Sequence, residues 1–89
     1  MRYLLIRHQV KDFDRWRPMY DEHKFAREMA GLEEMHVFRD SGNPNLVTIL
    51  YRATNIEAAR LFAESPELLE KMKQAGVMDK PEMCILNDA

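Results

Sequence analysis

Apolar and polar residues alternate with a period of two in three segments of the chain, a pattern typical of β-strands. In residues 2–10, apolar side chains occupy most even positions and several odd positions, so we expect this strand to be covered in part on both faces. Residues 32–40 and 45–53 predict a second and a third strand, joined by the turn-forming residues 41–44. A last, shorter strand is predicted over residues 83–86.

A repeat of about 3.6 residues predicts one long helix over residues 13–30. Asp12 precedes it as a candidate N-cap, and Gly31 follows it as a candidate C′ residue. Pro18 lies within the predicted helix, where its ring removes a backbone hydrogen bond, so we expect a kink near this residue. One face of the helix carries Phe13, Trp16, Met19, Tyr20, His23 and Ala30, with Arg27 alongside.

Two short helices are predicted after the third strand. Residues 54–57 match a capping box with Thr54 as the cap, and they begin a helix that runs to about residue 63. Ser65 caps the second helix, which ends at Gly76. The element order βαββα(α)β over one domain, residues 1–89, predicts an α+β, ferredoxin-like fold. Its sheet has four antiparallel strands with the helices on one face.

The other face of this sheet carries mostly apolar side chains that one chain cannot cover: Tyr3, Leu5 and Leu50, together with Thr48. A domain of this size also hides only roughly 60–65% of its unfolded surface, so association would add to its stability. A second copy of the chain is the economical cover for the face. We therefore expect a homodimer that forms through the sheet.

Composition narrows the class of protein. Hydrophobic residues make up 46% of the chain and charged residues 31%, a balance typical of a folded domain. The 13 Lys and Arg against 15 Asp and Glu give a net charge of -2, which argues against nucleic-acid binding through phosphates. RNA-recognition folds with the same element order carry a basic-glycine-aromatic pattern on the third strand, and residues 46–51 lack it.

The chain has no apolar run long enough for a signal peptide or a membrane span, so we expect a cytoplasmic protein without membrane contact. Its single cysteine, Cys84, cannot form an internal disulfide. We expect Cys84 to be a buried structural thiol in the last strand, because no basic neighbour is evident that would activate it.

The candidate chemistry lies on the predicted long helix and on the first strand. Trp16, Tyr20 and His23 follow at i, i+4 and i+7 and so project from one side of the helix, while His8 shares the strand face beneath it. The four side chains would converge on one mostly apolar pocket. There His8 and His23 are the candidate catalytic bases, able to deprotonate a phenolic or enolic substrate held by Trp16 and Tyr20.

Two other interpretations of these residues are a purely structural role and a metal site. Trp16 and Tyr20 could be core aromatics, with His8 and His23 satisfied by the backbone or by a carboxylate. A metal site would need His8, His23 and His36 to converge, and the sequence has no H-x-x-x-H or C-x-x-C spacing. We therefore expect no metal and no cofactor.

Several stretches together resemble a small bacterial group in the dimeric α+β-barrel superfamily, which includes antibiotic-biosynthesis-monooxygenase-like and stress-responsive barrel proteins. The resemblance covers nearly the whole chain. It is carried by residues 7–13, by Trp16, Tyr20-Asp21 and His23, and by residues 65–68 and 75–77.

The resemblance implies sheets that pack face to face in a homodimer, with a small-molecule cavity in each subunit between sheet and helices. Monooxygenase-like members of the superfamily oxidise aromatic polyketides without a cofactor in such a cavity. The resemblance thus implies a cofactor-independent, monooxygenase-like or cyclase-like enzyme that acts on a small hydrophobic or aromatic molecule. The alternative is a non-catalytic small-molecule-binding or regulatory module.

Overall fold

The computed structural model describes residues 1–89 as four strands and four helices. The element order is the predicted one, except that the long helix is divided in two. The elements are β1 (Arg2–Gln9), α1 (Phe13–Glu22), α2 (Lys24–Met29), β2 (Leu32–Arg39), β3 (Leu46–Ala53), α3 (Ile56–Ala63), α4 (Pro66–Gln74) and β4 (Glu82–Asn87).

The four strands form one antiparallel sheet in the order β2-β3-β1-β4, which confirms the predicted ferredoxin-like topology. The central strand β1 places Ile6 opposite Ile49 of β3 and opposite Met83 of β4. A register shift between Glu34 and His36 interrupts the pairing of β2 with β3. Because paired residues share a face, the register decides which side chains lie beneath the helices.

One face of the sheet is covered by the helices and carries the core. Along β3 every second residue is buried, and in β1 the even positions from Leu4 onward are buried while the odd positions are half-buried or exposed. This is the alternation expected of a sheet packed on one side. The core consists of Leu4, Ile6, Val10, Trp16, Tyr20, Leu32, Val47, Ile49, Tyr51, Ala53, Ala59 and Ala63.

The predicted single helix over residues 13–30 is wrong at one point, because the chain breaks at His23 and not at Pro18. Pro18 stays inside α1. At His23 the backbone turns to φ -94° and ψ 12°, and its N–H bonds to the Tyr20 carbonyl, one residue nearer than in an α-helix. The guanidinium of Arg27 donates to the same carbonyl and so satisfies the end of α1.

Side chains fix the ends of the other helices. Asp12 caps α1 as predicted, since its Oδ1 accepts from the Asp14 N–H at 3.0 Å. Ser65 caps α4 through the Leu68 N–H at 3.1 Å. In α3 the predicted cap is off by one residue: Asn55 Oδ1 accepts the N–H groups of the first turn, and Thr54 turns away.

Thr54 instead ties α3 to the end of α2. Its hydroxyl donates to the Gly31 carbonyl at 3.2 Å, and its N–H bonds to the same oxygen at 2.9 Å. Gly31 has the positive φ of 76° that a C′ residue needs. A Cβ at this position would lie only 2.5 Å from the Thr54 hydroxyl, so glycine is required here twice over.

The face of the sheet away from the helices has no cover within the chain. Phe38 is 47% exposed and Leu86 41% exposed, and half-buried Leu5 and Leu50 lie beside them in the register.

The expectation of a buried Cys84 is wrong, since its thiol is exposed. Cys84 pairs with Leu5 and therefore shares this uncovered face. No helix of the chain is long and apolar enough to span a bilayer.

Replacing Trp16 by alanine should destabilise the fold by about 3–5 kcal/mol, since a buried indole leaves a large void. Trp16 is only 3% exposed. The free energy of unfolding from urea titration followed by circular dichroism measures the loss. Phe25→Ala is the matched control: this ring is 72% exposed, and its loss should change stability by less than about 0.5 kcal/mol. Equal effects of the two substitutions would contradict the assignment of the inner helix face.

Candidate functional site

A small cavity of about 50 Å³ lies between the helix-covered face of the sheet and helices α1, α2 and α4. Ligand pockets usually measure roughly 300–1,000 Å³, so an aromatic ligand requires this cavity to widen. Its lining is mostly apolar and consists of Ile6, His8, Trp16, Met19, Tyr20, His23, Arg27, Leu32, Ile49, Tyr51, Phe62, Leu68, Lys71, Met72 and Ala75. All four predicted site residues are therefore brought to one cavity.

His8 lies on the sheet side of the cavity and is 3% exposed. Its ring and that of Trp16 are arranged edge to face, with a centroid distance of 5.5 Å and an interplanar angle of 66°. The Nδ1 atom is buried and has no hydrogen-bond partner within the protein, which is rare for a polar atom in a core. Burial lowers the pKa of His8 because the charged ring would lose its hydration, although the His8 backbone and Asp79 oppose the shift. The ring is neutral at pH 7 and keeps an acceptor nitrogen.

His23 lies on the helix side of the same cavity, at the break between α1 and α2. Its Nδ1 is 2.8 Å from the Met19 carbonyl oxygen, which can only accept a hydrogen bond. Nδ1 therefore carries the proton, and in the neutral ring Nε2 is an acceptor. The helix break thus sets both the direction and the tautomer of the second imidazole.

Trp16 and Tyr20 form the aromatic side of the cavity. Their rings stack at a centroid distance of 4.7 Å with an interplanar angle of 24°. Both residues belong to the buried core and also line the cavity.

The Tyr20 hydroxyl belongs to a chain of hydrogen bonds that leads outward. It donates to Glu34 Oε1 at 2.8 Å, and since the carboxylate can only accept, the Tyr51 hydroxyl donates to Tyr20 at 2.9 Å. Burial raises the pKa of Tyr20 and raises that of Tyr51 to about 12, so both phenols stay protonated. The sequence analysis did not predict a role for Tyr51 or Glu34. These two residues are paired by the register of β2 with β3, and α1 packs on the sheet so that Tyr20 reaches both.

Arg27 is the other residue whose part in the site the sequence did not indicate. It is 7% exposed, and its guanidinium lies 3.7 Å from the centroid of the Tyr20 ring. Besides this cation–π contact, it donates to the Tyr20 backbone carbonyl. In the sequence, the position of Arg27 beside the apolar helix face was the one indication that this side chain lies near the cavity.

The third histidine, His36, is on the uncovered face of the sheet, where it packs against Phe38 at 4.3 Å, and it takes no part in the cavity. No group of three or more His, Cys, Asp or Glu side chains lies close enough together to hold a metal ion.

The chain has the ferredoxin-like α+β fold that solved structures of antibiotic biosynthesis monooxygenase-like proteins share, as the resemblance predicted. Neither protein-family models nor curated protein sequences match it, and the likeness is found in solved structures. An antibiotic biosynthesis monooxygenase superposes with a TM-score of 0.73 and 13% identity, over 100% of this chain and 99% of that chain.

Two further structures extend the comparison. A proposed antibiotic biosynthesis monooxygenase from Bordetella bronchiseptica gives a TM-score of 0.78 at 12% identity, covering 99% of this chain and 96% of that one. An uncharacterised NIPSNAP domain protein from Burkholderia xenovorans gives 0.67 at 12% identity, covering 100% and 95%. At such identities the likeness establishes the fold, and the chemistry has to be argued from the site.

Stability should fall in weak acid because of His8. Its pKa in the folded chain is below the ordinary value of 6.5, so the unfolded chain binds the proton more readily. The stability that His8 contributes is complete above pH 6.5 and is lost as the pH falls through the folded-state pKa. Urea titrations at pH 7.5 and 5.0 should show a smaller loss in His8→Gln, whereas Phe25→Ala, at a 72% exposed position, should keep the wild-type loss. The same pH dependence in wild type and His8→Gln would contradict the assignment.

Proposed function

We propose that the protein binds a small hydrophobic or aromatic molecule in the cavity beneath α1 and acts on it as a cofactor-independent, monooxygenase-like or cyclase-like enzyme. One observation carries this proposal: His8 is a buried, neutral imidazole with an unpartnered nitrogen, and it lines a mostly apolar cavity. A buried nitrogen without a hydrogen-bond partner costs stability, so an apolar side chain would serve better if His8 had only a packing role.

The chemistry follows from the residues that surround the cavity. A neutral imidazole accepts a proton from a phenolic or enolic hydroxyl, and His8 and His23 face the ligand from the sheet and from the helix. Deprotonation makes the substrate electron-rich, which is the state that reacts with dioxygen or closes a ring onto a carbonyl carbon. Trp16 and Tyr20, stacked on each other, form the aromatic side of the cavity against which the ligand ring packs.

Entry of the ligand involves α4. Leu68, Lys71 and Met72 of this helix border the cavity, and α4 has no buried residue. Few buried contacts mean that little free energy is needed to move the helix outward. Gly76, at a φ of 91°, follows the helix, and its carbonyl accepts from the Lys11 N–H at 2.9 Å, which ties this end of α4 to the sheet.

The functional unit in this proposal is a homodimer that forms through the uncovered sheet face. Half-buried and exposed apolar side chains on that face support it, and a second copy would remove them from water. The partner would also cover Cys84, whose thiol is exposed in the single chain.

A non-catalytic binding module is the second candidate. The observation in its favour is that both tyrosine hydroxyls and one nitrogen of His23 are already hydrogen-bonded within the protein. Such groups hold the shape of a cavity. Measurements of binding and turnover on the same variants separate the two functions.

His8→Ala and His23→Ala should each weaken binding of 1-naphthol at least tenfold while the fold is kept, because each removes the ring nitrogen that accepts from the ligand hydroxyl. The indole N–H signal of Trp16, the chain's one tryptophan, reports binding in a two-dimensional NMR titration. Dioxygen uptake in the presence of 1-naphthol reports turnover. Phe25→Ala, at a 72% exposed position of α2 outside the cavity, is the control and should bind as wild type does. Unchanged binding in both variants would contradict the role of the histidines, and binding without turnover would favour the binding module.

Sedimentation equilibrium at micromolar concentration should give twice the chain mass of 10.5 kDa. Leu5→Glu should shift the protein to the monomer, since it would bury a charge in the dimer. Leu61→Glu, on a 71% exposed position of α3, is the control and should leave the dimer intact. A wild-type protein that sediments only at the mass of one chain would rule out the homodimer.

A further inference from the structure

Arg27 is a buried cation without a counter-ion. Its side chain lies beneath the break between α1 and α2, and the residue is 7% exposed. None of the ion pairs within 4.0 Å includes it. Proteins rarely bury a guanidinium without a carboxylate or a phosphate beside it, because the loss of hydration is costly.

Only part of the guanidinium is used by the protein. Nη1 donates to the Tyr20 carbonyl, and the flat face of the group lies over the Tyr20 ring at 3.7 Å. Nε and Nη2 have no hydrogen-bond partner in the chain, and neither is fully enclosed. These two nitrogens are donors that a further group could engage.

The space beside Arg27 suits a ligand. Arg27 lines the cavity of about 50 Å³ and also an open groove of about 560 Å³ along α1, α2 and β2. Each carboxylate of that groove already has a partner. Asp21 pairs with Arg17 at 3.1 Å and Glu28 with Lys24 at 3.8 Å, while Glu33 pairs with Arg52 and Glu34 accepts from the Tyr20 hydroxyl. Arg27 is therefore the one cation of the groove that has no carboxylate of its own.

We propose that Arg27 binds the carboxylate of an aromatic acid whose ring enters the cavity against Trp16 and Tyr20. The inference rests on the proposed ligand-binding function and names the substrate class. A carboxylate matches the planar donor array of a guanidinium, and the low dielectric of the site strengthens their attraction. The ligand carboxylate would also be the counter-ion that Arg27 lacks within the protein.

Benzoate and benzyl alcohol test this inference, because they share the ring and differ in charge. Titrated against the Trp16 indole NMR signal at pH 7.5, benzoate should bind wild type at least tenfold more tightly than benzyl alcohol. Arg27→Gln should remove this preference by weakening benzoate at least tenfold while benzyl alcohol stays within twofold. Arg17→Gln is the matched control, since Arg17 is 5.6 Å from the same Tyr20 ring but is ion-paired. It should keep the preference.

Equal binding of the two probes by wild type, or a preference that survives in Arg27→Gln, would overturn the role of Arg27 and leave the aromatic ligand site standing. Binding of neither probe would overturn the proposed ligand site together with this inference. The wild-type comparison needs no variant, so it holds even where Arg27→Gln loosens the helix break. Arg27→Lys, which keeps the charge, should retain part of the preference.

Discussion

The stack of Trp16 on Tyr20 is the contact on which the rest of the site depends. The indole packs edge to face with the ring of His8, and the phenol ring lies against the guanidinium of Arg27. The hydroxyl of Tyr20 joins α1 to β2 and β3 through Glu34 and Tyr51. A single pair of aromatic side chains thus holds the helix on the sheet and also forms one side of the cavity. A substitution at either position therefore changes the core and the lining of the cavity together.

Local patterns were enough to predict the sheet and most helix ends. Strand alternation and turn residues act over a few positions, so β1 to β4 fall close to their predicted bounds. The helix break at His23 could not be predicted from local patterns. It is stabilised by a tertiary contact, because Arg27 donates to the Tyr20 carbonyl that the break leaves free. The cap at Asn55 was missed for a similar reason: Thr54 is an equally good capping residue, and its contact with Gly31 decides the matter.

The candidate site divides along the same line. His8, Trp16, Tyr20 and His23 were found from helix and strand periodicity, since spacing alone places them on facing surfaces. Tyr51, Glu34 and Arg27 enter through the strand register and the helix break, which no short-range pattern encodes. The burial of Cys84 was misjudged because alternation shows that two faces exist but not which of them the helices cover. The shared fold does not determine which reaction or ligand these residues serve.

The most direct test of the account is the protonation of the two cavity imidazoles, measured by the ¹⁵N chemical shifts of the ring nitrogens of His8 and His23 between pH 5 and 8. The account predicts that His8 stays neutral to below its ordinary pKa of 6.5 and that both rings shift when 1-naphthol is added. It would be contradicted by a His8 ring that titrates near 6.5 like an exposed imidazole, with neither histidine responding to the phenol.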